Sequence, residues 1–195
     1  MKTESFGQGS RSVLDMVIMK IRFNKIASLI PKGLEVLDIG CGYNAELLTT
    51  VEGKIKTGVG IDMSVNTKFK SSLSKIKLVE GRVDEKLPFK DNSFDSVSAL
   101  AIIEHVEKPK MMLTEILRVL KPGGVVLLTT PPLISKPILE FMARLGIISR
   151  AEIADHKRYY TKKGLSVIMK KIGFSNISIK YFGIFWLNLI GTGNK

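Results

Sequence analysis

The sequence is short of cysteine, histidine and long apolar runs, and each shortage closes off a class of chemistry. Its single cysteine, Cys41, excludes an internal disulfide framework and leaves no thiolate metal cluster to be expected. A reducing, cytoplasmic setting fits. With only two histidines, His105 and His156, any imidazole chemistry rests on those positions. No apolar run approaches the roughly 18 to 20 residues that span a bilayer, and Asp15 interrupts the one N-terminal candidate for a signal core. A soluble protein is expected, with peripheral attachment at a membrane still open. Repeats and low-complexity tracts are missing too, and no metal-ligand spacing stands out. Acidic residues thin out late in the chain. Residues 1–130 carry 19 basic and 15 acidic side chains, whereas 131–195 carry 11 and 3, so the net charge of +12 is concentrated toward the C-terminal side. Such a field attracts an anionic acceptor, a nucleic acid or an acidic membrane surface, and equally fits a plain lysine-rich solvated surface.

What is present is enough apolar material, 45% of residues, for one globular domain with a sizeable core. Its centre is Val36-Leu-Asp-Ile-Gly-Cys-Gly-Tyr-Asn44, where an apolar run breaks into closely spaced glycines behind one carboxylate. Val36, Leu37 and Ile39 suit a buried strand, and Gly40 and Gly42 let the backbone turn sharply beside a ligand. A helix over 43–51 is expected to follow. Asp38 discriminates between ligands: a carboxylate two residues before the first glycine opposes a pyrophosphate and favours a cation. Asp62 ends the next strand, 56–61. It lies 20 residues beyond Gly42, the separation at which an acid in a doubly wound sheet meets both hydroxyls of a ribose. Loop and acid together suggest an adenosine-containing cofactor.

Apolar residues at helical spacing predict an amphipathic helix over 11–29, capped by Ser10, that either packs on a sheet or lies over a pocket as a lid. Further helices are expected over 66–73, 109–120, 134–148 and 162–172. Strands are expected over 76–79, 94–100, 125–130 and 175–180, with a turn and final strand in the apolar stretch 181–191. That stretch is also rich enough in aromatics to serve as an interfacial foot. Strand and helix alternate, which argues for a parallel α/β sheet with helices on both faces.

Five segments taken together resemble the class I S-adenosylmethionine-dependent methyltransferases that act on small molecules and lipids. They are Val36-Leu-Asp-Ile-Gly-Cys-Gly, Gly60-Ile-Asp62, Leu87-Pro-Phe-Lys-Asp-Asn-Ser-Phe-Asp95, Ile103-Glu-His-Val and Leu117-Arg-Val-Leu-Lys-Pro-Gly-Gly. The resemblance implies a Rossmann-like seven-stranded sheet of order 3-2-1-4-5-7-6 with the last strand antiparallel. It implies one domain over 1–195: an N-terminal helix and lid segment (1–33), a cofactor core (34–130), an acceptor-covering insertion (131–160), and a C-terminal helix with closing strands (161–195). Asp38, Gly40, Cys41 and Gly42 would surround the methionine part of S-adenosylmethionine, and Asp62 and Met63 the ribose. Ala99 and Leu100 would lie beside the methionine moiety. The usual adenine-facing acid is out of register, so Val83 and Asp84 take that place.

In Asp155-His-Lys-Arg-Tyr-Tyr-Thr161, similar to a stretch found in relatives, His156, Arg158, Tyr159 and Tyr160 combine a base, a fixed cation and two aromatic walls. With His105 they are the expected acceptor-binding residues, and His156 the expected catalytic base. The opposing reading has Thr161 capping the next helix, the tyrosines filling the core and His105 as a structural cap. The acceptor would be a small molecule, a lipid or a glycan; its identity, the accepting atom and the oligomeric state stay open. Two rival functions remain. One is an NAD(P)-dependent oxidoreductase, since Gly40-x-Gly42-x-x-Ala45 with Asp62 satisfies the dinucleotide fingerprint, though Asp38 and the short chain count against it. The other is a non-catalytic RNA-binding module with the same fold, supported by charge alone.

Overall fold

The computed structural model describes residues 13–66, 68–69, 74–183 and 186–195. The expected Ser10 cap lies outside them, and the expected helix over 66–73 largely so. Helix α1 (Val13–Leu29) leads into β1 (Glu35–Ile39), α2 (Glu46–Val51), β2 (Thr57–Asp62), β3 (Ile76–Glu80), β4 (Phe94–Leu100) and α3 (Pro109–Val119). There follow β5 (Leu120–Thr130), α4 (Lys136–Arg144), α5 (Arg150–Ala154), α6 (Lys162–Ile172), β6 (Ser175–Phe182) and β7 (Asn188–Asn194). The seven strands form one sheet of order β3-β2-β1-β4-β5-β7-β6. β7 runs antiparallel to both its neighbours and the other pairs are parallel, as the resemblance implies.

Alternation along the central strands divides the core into two layers, because successive side chains leave opposite faces of a sheet. Leu37, Ile39, Val97, Ala99, Val126 and Leu128 meet α3 and α6, while Val36, Leu100 and Leu127 share the other layer with Ile26 of α1 and Leu47, Leu48 and Val51 of α2. Asp38 and Ser98 fall on this second face, between Leu37 and Ile39 and between Val97 and Ala99. The period that builds the core therefore also aims a carboxylate at the α1 side.

Four expectations are corrected. α2 starts at Glu46 rather than residue 43, because Ala45 adopts a left-handed conformation (φ 47°) that breaks the helix before it begins. β5 begins at Leu120 rather than 125: the Lys121-Pro-Gly-Gly segment continues the strand, with Gly123 N donating to Lys195 O and Lys195 N to Gly124 O. The helix expected over 134–148 is split, with a 3-10 turn over Leu133–Ser135, α4, and a separate α5. Finally, α1 does not bury one continuous stripe. Met16 and Val17 are exposed; Phe23, Ile26 and Ala27 of the later turns pack on the sheet-side core, while Leu14 of the first turn packs on a separate small cluster with Leu139, Ala143, Ile148 and Leu187.

Candidate active site

The carboxyl ends of β1, β2 and β4 come together beneath α1. Asp38 stands opposite Ser98 in the β1–β4 register, and the Ser98 hydroxyl donates to its Oδ1 at 2.6 Å. Burial pushes the Asp38 carboxyl up to about 7; the Ser98 hydrogen bond opposes the shift, while the nearby Asp62 and Glu46 add to it. A cation placed here would settle that charge. Beyond β1 the chain turns through Gly40 and Gly42, both at positive φ (69° and 73°), and a Cβ on Gly40 would come within 2.9 Å of Ile102 Cγ1. On β2, Gly60 makes room for the Cys41 sulfur, which would lie 2.7 Å from a Cβ at that position. Burial raises the Cys41 pKa well above the ordinary thiol range, so the thiol is packing and not a nucleophile.

Asp62 is held in place by the loop it serves. Its Oδ2 accepts from Gly42 N at 2.8 Å and its Oδ1 from Met63 N at 2.7 Å. These two bonds fix the carboxylate at the end of β2, where it lines a cavity.

A cavity of about 460 Å³ extends from this corner to a second cluster of polar side chains. Asp38, Gly40, Cys41, Asp62, Met63 and Leu100 line one end, Glu104, His105 and His156 the other, with Ile18, Met19 and Arg22 of α1 above. The residues in the wall fit S-adenosylmethionine: a buried acid that needs a cation, a tight glycine turn beside it, and an acid immobilised at the end of the neighbouring strand β2. Gly42 and Ala99 do not line the cavity: Gly42 holds Asp62 through its N–H, and Ala99 is buried on the opposite face of the sheet in the layer that meets α3 and α6, so it is packing and not the cofactor contact expected. Val83 and Asp84 are away from it, since Val83 packs in the core and Asp84 is ion-paired with Arg82 at 3.1 Å and accepts from Glu107 N at 3.3 Å. Asp84 thereby ties the β3–β4 loop to the exit of β4.

The far end is assembled by a backbone staple. Lys157 N donates to Glu104 O at 2.9 Å, the Arg158 guanidinium donates to the carbonyls of Val106 and Glu107, and the Tyr160 hydroxyl donates to Ile103 O. Arg158 and Tyr160 are turned from the cavity into this staple, and Tyr160 is buried in the core; neither lines an acceptor site as the sequence suggested. Tyr159 also stands outside the wall, its hydroxyl 3.0 Å from His156 Nδ1. What the staple delivers is His156. Its ring packs edge-on against His105, centroids 4.8 Å apart, and His105 Nδ1 lies 3.0 Å from Asp155 Oδ2. Burial, reinforced by His105, pushes His156 down to about 4, so it is a neutral imidazole at pH 7. Glu104 is fully buried, its pKa raised by that burial, and neither of its oxygens has a hydrogen-bond partner among the described residues.

Reading by sequence missed three contributors. Arg22 reaches the cavity from α1, which was expected to pack in the ordinary way or act as a lid. Glu104 is placed by the sequence, with His105, at the carboxyl end of the sheet where ligands of open α/β sheets bind, but it was given no chemistry of its own. Helix α5 forms part of the wall, and its signal was legible: Ser149-x-x-Glu152 is a capping-box pattern, and Ser149 Oγ accepts from Glu152 N at 3.3 Å.

This strand order, with a glycine turn after β1 and an acid closing β2, is the class I methyltransferase architecture. The chain matches the family described as "Methyltransferase domain" over residues 18–179 and belongs to the class I S-adenosylmethionine-dependent methyltransferase family. It is 36% identical over 104 residues to a sterol 24-C-methyltransferase of Gibberella zeae, covering 49% of this chain and 27% of that protein. A demethylmenaquinone methyltransferase of Staphylococcus aureus is 34% identical over 176 residues, 78% of this chain and 73% of that one. Several other curated relatives match over only 27 to 50% of their own length. Among solved structures, a Thermotoga maritima protein described as a possible histamine N-methyltransferase superposes with a TM-score of 0.69 at 16% identity, covering 92% of each chain.

Proposed function

We propose that the protein transfers a methyl group from S-adenosylmethionine to a small, lipid-like acceptor. The observation that carries this reading is the continuous cavity from the Asp38–Asp62 corner to the His105–His156 pair. Bound at the first end by Asp38, the glycine turn and Asp62, the cofactor supplies an electrophilic methyl group. An acceptor held at the second end would face it in a space lined by α1 and α5, and alignment with desolvation supplies much of the acceleration in such displacements. His156, kept neutral, is the group placed to take a proton from an acceptor hydroxyl.

The lipid-like character of the acceptor rests on a second, apolar pocket of about 170 Å³ lined by Leu14, Ile18, Ile21, Ile138, Met142 and Phe182. It shares Ile18, Leu187 and Asn188 with the larger cavity, so a polar head could occupy one space and a hydrocarbon tail the other. The sterol and demethylmenaquinone enzymes it resembles act, by name, on molecules of that kind. Beside the pocket, Ile134, Ile138, Phe141 and Leu145 make one exposed stripe at helical spacing, 45 to 71% exposed, which supports transient contact with an anionic bilayer. No described helix is long and apolar enough to cross a membrane. Sedimentation with anionic vesicles, lost on Phe141→Glu, checks this contact.

The direct test of the main reading is calorimetric titration of S-adenosylhomocysteine into the protein and into Asp62→Ala, with NADH as control. Micromolar binding that weakens at least tenfold in the variant supports the assignment. Binding of NADH with none of S-adenosylhomocysteine would falsify it.

A further inference from the structure

Buried Glu104 poses a problem that methyl transfer alone does not resolve. A carboxylate with no exposure and no hydrogen bond is costly, since a buried polar group is ordinarily satisfied by a partner. The Glu104 backbone N–H and the Thr130 hydroxyl lie close enough to favour its charge, though neither meets hydrogen-bond geometry. Arg22 acts on it electrostatically, yet its Nη2 hydrogen bond goes to Asn188 Oδ1 at 3.2 Å. Glu104 lines the cavity.

Two imidazoles share that space. One ligand atom each from Glu104, His105 and His156 lie within 4.8 Å of one another. Both rings have Nδ1 engaged from outside, His105 by Asp155 at 3.0 Å and His156 by the Tyr159 hydroxyl at 3.0 Å, which leaves each Nε2 as the coordinating atom. A histidine whose second nitrogen is held by a carboxylate or hydroxyl is the usual arrangement behind a metal ligand, because the outer partner fixes tautomer and ring orientation.

From this geometry we propose that Glu104, His105 and His156 bind a divalent transition-metal ion at the acceptor end of the cavity. The sequence had suggested no metal site, because the ligands come from two segments about 50 residues apart that only the Lys157–Glu104 staple brings together. Two imidazoles and one carboxylate select zinc, cobalt, manganese or ferrous iron over magnesium and calcium, which prefer all-oxygen shells. Bonds of about 2.1 Å set neighbouring ligand atoms roughly 3 to 3.5 Å apart, so a pair as far apart as 4.8 Å must close by roughly 1.3 to 1.8 Å when the ion binds. The charge balance favours a cation: Glu104, Asp155 and Glu152 outnumber Arg22 at this end. Three protein ligands leave positions open toward the cavity, where an acceptor oxygen could bind and be oriented. This use of the ion rests on the methyltransferase reading, but the site itself does not. With the ion in place His156 is a ligand and not the base.

The test uses chelator-treated protein titrated with Co²⁺ and with Zn²⁺, followed by calorimetry and, for cobalt, visible absorption. One equivalent bound at micromolar affinity or better is expected, with cobalt bands characteristic of nitrogen and oxygen ligation. His156→Ala and Glu104→Gln should each weaken binding at least tenfold while thermal unfolding stays cooperative. S-adenosylhomocysteine titrated into the same variants separates the two readings: retained cofactor binding with lost metal binding supports both. Metal binding absent at 100 µM, or present and unchanged in both variants, overturns the metal site and leaves the cofactor assignment standing. If Glu104→Gln does not fold, His156→Ala alone decides.

Discussion

The two ends of the sheet treat charge in opposite ways. At the amino end every ionised group named here has a close partner of opposite sign: Glu35 accepts from Lys56 and Lys121, Lys121 also reaches Asp95, and Arg118 bridges Glu115 and Asp91. These contacts hold the carboxylates of Glu35, Asp95 and Glu115 below the usual range. At the carboxyl end, Asp38 and Glu104 are pushed up and His156 down, each chiefly by burial. One end is satisfied by the protein itself. At the other, Asp38 and Glu104 keep a burial penalty that a bound cation would relieve, which is how an active site differs from a scaffold.

The largest effect should come from removing the Asp38 charge. Asp38→Asn keeps an acceptor for the Ser98 hydroxyl but loses the counter-ion for a bound cation, so S-adenosylhomocysteine affinity should fall on the order of 100-fold. The same change should help the ligand-free protein. An Asp38 pKa raised from 3.8 to about 7 means that the native state holds a proton the unfolded chain gives up. Stability is therefore full below pH 4 and is lost as pH rises toward 7, by roughly 2 to 4 kcal/mol. Urea unfolding at pH 8 should show Asp38→Asn more stable than the parent. Cofactor affinity of the parent should weaken as pH drops below 7. Binding within threefold of the parent in the variant would remove Asp38 from the site and blur the contrast between the two ends.

How far sequence alone foresaw this contrast depends on whether the signal was local. β4 over residues 94–100 and α6 over 162–172 were legible to the residue, α6 because Thr161 caps it through Gly164 N and Gly173, at φ 118°, ends it. That Asp38 and Asp62 would meet at one end of the sheet was legible because their spacing from Gly40 and Gly42 is fixed by one strand–turn–helix–strand unit, and both line the cavity. The strand order came from the resemblance. β5 was misjudged because the pairing of Lys121-Pro-Gly-Gly is completed by Lys195, about 70 residues away. The His105–His156 contact, the isolation of Glu104 and the approach of Arg22 depend on how α1 and the 155–160 segment fold over the sheet. No spacing within either segment encodes that.

The next effect is at the amino end and should leave the site alone. The Arg118 guanidinium donates to the Leu87 and Phe89 carbonyls at 3.1 and 2.8 Å, to Asp91 at 2.7 Å and to both oxygens of Glu115, whose Oε2 also accepts from Leu87 N at 2.8 Å. Arg118→Met strips the buried Glu115 and two carbonyls of their donor. It should cost about 2 to 3 kcal/mol in urea unfolding. Affinity for S-adenosylhomocysteine, measured well below the unfolding temperature, should change less than twofold. A tenfold loss would show that the two ends are coupled.

The smallest effect tests the opposite pH slope. Hydrogen bonds from Lys121 and then Lys56 bring Glu35 down to about 2, so its contribution is present above about pH 4.5 and is lost as pH falls toward 2. Its side chain is 28% exposed and screened, which limits the contribution to under about 1 kcal/mol. Glu35→Gln should therefore lower stability slightly at pH 7, less in 1 M salt, and not at all near pH 2. Asp38 weakens the native state as pH rises and Glu35 as pH falls. A protein with both effects should have its stability maximum on the acid side of neutrality when ligand-free and shift it upward when cofactor is bound. Urea midpoints from pH 3 to 8, with and without S-adenosylhomocysteine, measure that shift, and a maximum that does not move would mean that the charge at Asp38 is already compensated without ligand.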